Sequence, residues 1–157
     1  MKRENGRCAS IIHLLESEVN SVATYLLDTT TFSFMMERHP KVRARAASLS
    51  PTDRMVICTI VRGEVCYGLE RMPQGRKRRD LEAKAMALFA ALLCESIPEA
   101  AGDHYARIKR ETERKGTPLD ENDLWIAATA RALGAVLVTS DSDFQRVSGL
   151  GVEDWTR

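Results

Sequence analysis

Three short apolar runs, Tyr25-Leu26-Leu27, Met55-Val56-Ile57-Cys58 and Val136-Leu137-Val138, are separated by stretches with helical spacing. This alternation constrains the fold more than any other feature, because strands that alternate with helices pair in parallel and need helices on both faces of the sheet. The pattern predicts strands near 23–27, 55–58 and 135–139, a further strand within 92–97, and a short terminal strand, Val152-Glu153-Asp154. Helices are expected near 31–37, from Pro40 onward, and near 60–71, 77–92, 99–114 and 121–133. In the third of these, Val61, Val65 and Leu69 recur at i+4. Thr29-Thr30-Thr31 reads as a polar turn, and Ser50-Pro51-Thr52-Asp53 and Lys115-Gly116-Thr117-Pro118 as breaks. Pro98 suits a helix start, Asp120 an N-cap and Gly134 a helix end.

A chain of 157 residues fits one domain with a sizeable core. Residues 23–157 carry the alternating pattern. Residues 1–22 read as an N-terminal extension, with a short amphipathic helix suggested by Ile11, Ile12, Leu14, Leu15 and Val19. The net charge of +1 says nothing about a polyanionic partner, so any nucleic acid would have to be held by local basic patches. Cys8, Cys58, Cys66 and Cys94 show no C-x-x-C spacing, which argues against structural zinc, and Cys58 and Cys66 are expected as buried free thiols. No apolar run is long enough for a membrane span, and the N-terminus lacks a signal-like core, so a cytoplasmic setting is expected.

The runs also place acids in a consistent way. Asp28 follows the first strand, Glu64 lies about one turn into the helix after the second, Asp123 sits in a helix's first turn, and Asp141 and Asp143 follow the 136–138 run. In right-handed βαβ units, strand carboxyl ends and the amino ends of following helices share one edge. All of these acids are therefore expected on one rim. Carboxylates are costly to desolvate unless paired or bound to metal, and a set of oxygen-only ligands favours Mg²⁺ or Mn²⁺. Each acid also has an ordinary role: Asp28 as a cap, Glu64 as a solvated helix position, Asp123 as an acid favoured by the helix dipole, and Asp141 and Asp143 as turn formers. It is their joint placement that points to a cation site. Gly63 and Gly68 flank Glu64 and leave room for a close approach.

Several motif blocks occur in order: Tyr-Leu-Leu-Asp-Thr (25–29), Gly-Glu-Val-Cys-Tyr-Gly-Leu (63–69), Gly-Thr-Pro-Leu-Asp-Glu-Asn-Asp-Leu-Trp-Ile-Ala-Ala (116–128), Leu-Val-Thr-Ser-Asp-Ser-Asp-Phe-Gln-Arg-Val-Ser-Gly-Leu (137–150) and Val-Glu-Asp-Trp (152–155). With these blocks the chain resembles PIN-domain ribonucleases, and within them the VapC toxins of VapBC toxin–antitoxin pairs. The resemblance implies a PIN-like three-layer α/β/α fold with a mainly parallel central sheet over residues 23–157. It implies that Asp28, Glu64, Asp123 and Asp141 hold Mg²⁺, with Asp143 as the alternate fourth acid or as support behind it. Thr59 matches a small hydroxyl position of such sites, and Ser140 is a second candidate. One departure is Thr30, where the family usually carries Asn; this residue would bear on the positioning of Asp28.

The resemblance further implies a metal-dependent endoribonuclease acting as the toxin of a type II pair. The cognate VapB-type antitoxin would block the acidic pocket, a homodimer would form, and DNA would be reached only through the antitoxin. RNA would be held by the basic clusters Arg71, Arg76, Lys77, Arg78, Arg79 and Arg107, Lys109, Arg110, Arg114, Lys115. Met35, Met36, Leu69 and Phe89 are candidates for a dimer interface. Two rivals are a PIN-like RNA-binding or regulatory module with weak catalysis and a haloacid-dehalogenase-like phosphatase. The phosphatase needs a second Asp two residues after Asp28, where this chain has Thr30.

Overall fold

The structure is a computed structural model that describes residues 22–157; the expected N-terminal helix lies outside the described residues. Five strands, β1 (Thr24–Leu27), β2 (Arg54–Cys58), β3 (Leu93–Glu95), β4 (Val136–Val138) and β5 (Val152–Glu153), form one sheet in the order β3-β2-β1-β4-β5. Every pairing is parallel, with Leu26 beside Val56 on one side and Leu137 on the other. Leu26, Leu27, Val56, Ile57, Leu137 and Val138 are all fully buried. The inner strands therefore read as continuous apolar runs, because helices cover both faces and leave no side facing water.

The helices are α1 (Thr29–Met36), α2 (Pro40–Ala47), α3 (Thr59–Glu70), α4 (Arg76–Ala91), α5 (Ala100–Arg114) and α6 (Glu121–Ala132), with a 3₁₀ turn at Ser142–Arg146. Helices α1 to α4 pack among themselves, and α5 packs along α6. The connections explain this division. From β1 the chain moves outward in one direction to β2 and β3, then returns across the sheet to β4 and β5. Right-handed crossovers place the first helices on one face and the later ones on the other. The result is the three-layer α/β/α arrangement expected from the sequence. Its topological switch point falls between β1 and β4, the position where open α/β sheets bind ligands beyond their carboxyl ends.

Several local expectations need correction. Thr29-Thr30-Thr31 is the first turn of α1, not a separate turn, because the Asp28 carboxylate accepts the Thr31 N–H at 2.6 Å and starts the helix two residues early. Asp120 occupies the N-cap position of α6, but its side chain accepts no capping hydrogen bond. Pro98 precedes the α5 cap residue Glu99 and lies outside the helix; its carbonyl accepts the Ala101 N–H at 2.9 Å. Cys58 is buried, whereas Cys66 is only half-buried. Gly134 does end α6: its φ of 61° supports paired bonds from Gly134 N–H to Arg131 C=O at 3.2 Å and from Ala135 N–H to Ala130 C=O at 2.8 Å. At the far edge, the Arg45 guanidinium of α2 lies 5.6 Å from the ring centroids of Tyr25 and Trp155 and pairs with Glu153 at 3.0 Å, tying β5 to the helical layer.

Two groups proposed for surface roles serve the interior instead. Arg78 is buried: it pairs with Glu70 at 3.0 Å and Glu82 at 2.6 Å, and donates to the Glu70 and Met72 carbonyls at 3.4 and 3.2 Å. It closes the carboxyl end of α3 and cannot belong to an RNA-binding face. Leu69 is buried in the core, and Phe89 stacks on the fully buried Phe32 with 5.0 Å between centroids. Both fill the core and leave Met35 and Met36, half-buried beside a shallow cavity of about 250 Å³, as the apolar surface of that helical layer.

Candidate active site

The switch point holds a small cavity of about 160 Å³, lined by Asp28, Glu64, Asp123, Asp141, the threonines Thr29 and Thr30, and the apolar floor Ile126 and Phe144. Four segments distant in sequence supply the acids. β1 ends at Leu27 and delivers Asp28, whose N–H bonds to the Val138 carbonyl of β4 at 3.1 Å. Glu64 comes from the second turn of α3, after β2. Asp123 is in the first turn of α6, a helix that runs against the strands and so begins at their carboxyl ends. Asp141 stands past β4, where its carboxylate accepts the Asp143 N–H at 2.8 Å and caps the 3₁₀ turn.

Asp143 lies elsewhere. It does not line the cavity, and its carboxylate pairs with Arg146 at 3.1 Å. Thr30 lines the cavity but is exposed, and Asp28 is oriented by other groups: the Thr31 N–H and the Thr139 hydroxyl. The support for Asp28 thus comes from α1 and from the residue just past β4. Thr59 donates to the Glu95 carbonyl at 3.3 Å and sits in the neighbouring groove, and Ser140 does not line the cavity.

Three supporting groups are absent from the sequence reading. The Thr29 hydroxyl donates to Glu64 Oε2, the Asn122 amide donates to Glu64 Oε1 at 3.0 Å, and the Thr139 hydroxyl accepts the Asp141 N–H at 3.0 Å while contacting Asp28. Thr29 and Asn122 each neighbour a site acid in sequence. That adjacency was the available signal, but which acid each would serve depends on the strand order.

The electrostatics follow from the lining. Among the described residues, none that lines the cavity is basic. Burial pushes the Asp28 carboxyl above its usual range, with the Asp141 charge adding to the effect. Asp123 is pushed up to about 6, first by burial and then by the charges of Glu64, Asp141, Asp120 and Asp28. These are like charges gathered without a counter-charge, and an approaching cation relieves them. Among the described residues, no three such acids already stand as a finished coordination cluster. Mg²⁺ does not require one: it keeps several waters and binds through one or two carboxylates together with substrate phosphates. An oxygen-only donor set in a pocket this small fits that hard cation and does not suit zinc.

Comparison with known proteins agrees with this architecture. The PIN domain family matches residues 25–150. The chain is 33% identical over 136 residues to Ribonuclease VapC1 of Haemophilus influenzae strain R2866, covering 85% of this chain and 98% of that protein. It is 33% identical over 132 residues to the tRNA(fMet)-specific endonuclease VapC of Salmonella typhimurium, covering 83% and 97%. Among solved structures, it superposes on VapBC2 of Rickettsia felis bound to a promoter DNA fragment with a TM-score of 0.76 at 27% identity, covering 84% of this chain and 98% of that one. VapBC-1 of nontypeable Haemophilus influenzae gives a TM-score of 0.75 at 30% identity, covering 85% and 99%. A parallel sheet with its acids at the switch point, a family match over most of the chain and ribonuclease relatives matched nearly end to end lead to one assignment: this chain belongs to the PIN domain family and, within it, to the VapC toxins of VapBC toxin–antitoxin systems.

Proposed function

We propose that the protein is a Mg²⁺-dependent endoribonuclease, with Mn²⁺ as a possible substitute, acting as the toxin of a type II toxin–antitoxin pair. The observation that carries this reading is the convergence of Asp28, Glu64, Asp123 and Asp141 on one cavity that no basic side chain lines among the described residues. Bound Mg²⁺ would acidify a water and neutralise charge building on the phosphoryl oxygens. The chain's own part is orientation. The Thr31 N–H and Thr139 fix Asp28, Thr29 and Asn122 hold Glu64, and the helix start fixes Asp123. Of the two acids after β4, Asp141 takes the site role and Asp143 stands behind it with Arg146. Among the described residues no histidine lines the cavity, so proton transfer by the lining side chains falls to the carboxylates and water.

RNA approaches over cations outside the cavity. Arg107, Arg110 and Arg114 recur along one exposed face of α5 and line a groove of about 600 Å³. In the same cluster, Lys109 is tied to Glu121 at 3.2 Å and Lys115 to Glu111 at 2.5 Å. The likeness to the Rickettsia felis and Haemophilus influenzae VapBC structures supports a VapB-type antitoxin as the partner, with DNA reached through it. A homodimer would use the face around Met35 and Met36. The Salmonella relative makes initiator tRNA the first substrate to try.

The test is cleavage of RNA by the purified protein with Mg²⁺. Chelator should stop it, and Asp28→Ala or Asp123→Ala should slow it at least roughly 100-fold. Cleavage that survives both substitutions and the chelator would overturn the reading.

A further inference from the structure

Next to the acidic cavity lies a second groove of about 260 Å³, lined by Thr59, Ile60, Gly63, Glu64, Tyr67 and Asn122. Glu64 lines both, so the two adjoin at its side chain. Ile60, Gly63, Glu64, Tyr67 and Arg71 follow the i, i+3, i+4, i+7, i+11 spacing of a single helix face, and all but Arg71 line the groove. Tyr67 is 64% exposed, the most exposed large hydrophobic side chain among the described residues, although Val61, Val65 and Leu69 of the same helix are buried. The Arg71 guanidinium lies 5.6 Å from its ring centroid and makes no ion pair among the described residues. A Cβ built on Gly63 has no atom within 4 Å, so the space above that position is open. The Asn122 amide nitrogen is committed to Glu64, which leaves its oxygen as an acceptor at the groove.

We propose that this groove takes one unpaired nucleobase of the RNA, the base flanking the phosphate to be cut, stacked on Tyr67. The proposal rests on the endoribonuclease reading and extends it to how the substrate is positioned. An exposed aromatic face suits a base, because every base has a π-face. Tyr67 is about one helical turn, roughly 5 Å, from Glu64, which places the stacked base next to the phosphate at the acids. Arg71 adds positive charge near the ring, on the side away from Glu64, where the backbone continues. The groove is sized for one planar ring system and not for a helix, which favours a splayed, single-stranded substrate over a duplex. Asn122 supplies a hydrogen-bond acceptor for the base or its ribose hydroxyl.

The experiment measures single-turnover cleavage of short oligoribonucleotides with Mg²⁺. Tyr67→Ala should lower kcat/KM about ten-fold, mainly through KM, within the range for a base stacked on an aromatic side chain. Tyr67→Phe should restore most of the loss. Gly63→Ala, which collides with no protein atom, should keep or raise thermal stability and still raise KM. An oligonucleotide with an abasic site next to the cut should be a poor substrate for the unmodified protein and suffer no further loss with Tyr67→Ala. Cleavage at full kcat/KM by both Tyr67→Ala and Gly63→Ala would overturn the proposal, as would equal abasic penalties with and without the ring. If Tyr67→Ala instead disrupts self-association or antitoxin binding and leaves RNA cleavage unchanged, the groove belongs to a protein and the proposal fails. If the unmodified protein cuts no RNA, the catalytic reading fails separately, and binding is then read from the Tyr67→Trp variant. Its emission should be quenched by single-stranded RNA more strongly than that of the parent; equal quenching refutes the groove.

Discussion

Asp123→Asn should make the metal-free protein more stable while abolishing RNA cleavage. In the folded state Asp123 titrates at about 6, against 3.8 for the free side chain, because it is partly buried among Glu64, Asp141, Asp120 and Asp28. A carboxyl raised in this way holds its proton longer in the folded than in the unfolded chain. Stability therefore falls as pH rises from about 4 to about 6, and above that window the full penalty of an ionised Asp123 is present. At about 1.4 kcal/mol per pH unit the shift is worth about 3 kcal/mol, and solvent screening at this half-buried position reduces that to about 2 kcal/mol. Asn keeps the shape and removes the charge. Urea unfolding followed by tryptophan fluorescence, at pH 7.5 in chelator, should show the variant more stable by about 2 kcal/mol, or about 4–8 °C in Tm. At pH 4.5 the difference should shrink to roughly a third, and it should vanish only below about pH 3, where Asp123 is protonated in the unfolded chain as well. Added Mg²⁺ should stabilise the parent more than the variant, because only a ligand favouring the folded state raises stability and the variant has lost a donor. A variant no more stable than the parent at pH 7.5 in chelator would refute the argument that these acids repel one another across a cavity lacking a counter-charge.

The other expectations concern separate parts of the molecule. Asp141→Ala should cut RNA cleavage by roughly 100-fold while Asp143→Ala keeps it within a few-fold, because only Asp141 lines the cavity; equal losses would return the two acids to equal standing. Arg38 ends α1 at a φ of 58°, where an L side chain is strained, so Arg38→Gly should raise the unfolding free energy by roughly 0.5–1 kcal/mol; a lower urea midpoint would contradict this. Phe32→Ala removes a fully buried ring stacked on Phe89 and should cost about 3–5 kcal/mol, and a loss below about 1 kcal/mol would mean that the core collapses to fill the gap.

Much of this fold was legible because burial on both sheet faces leaves a plain mark. The runs Leu26-Leu27, Val56-Ile57-Cys58 and Leu137-Val138 are continuous because both faces are covered, and the strands lie within a residue or two of the expected positions. Gly134 was legible as a helix end because a left-handed residue favours glycine. The start of α1 was not: three threonines resemble a turn, and only the Asp28 cap at 2.6 Å from the Thr31 N–H decides for helix. Arg78 looked like part of a basic stripe because a charge run does not show which member folds back onto a helix end.

For the site, sequence alone determined which acids were available, that strand and helix ends would gather them on one rim, and, through the motif blocks, the family. Those properties are local or depend on order along the chain. Tertiary structure decided the rest. It placed Asp141 at the cavity and Asp143 beside Arg146, set Thr139 against Asp28, closed Glu64 between Thr29 and Asn122, and left the face of Tyr67 open beside the acids. These outcomes follow from β4 lying next to β1 and from α6 beginning beside α3. Such long-range neighbours are selected by packing of the whole chain, and no local spacing encodes them.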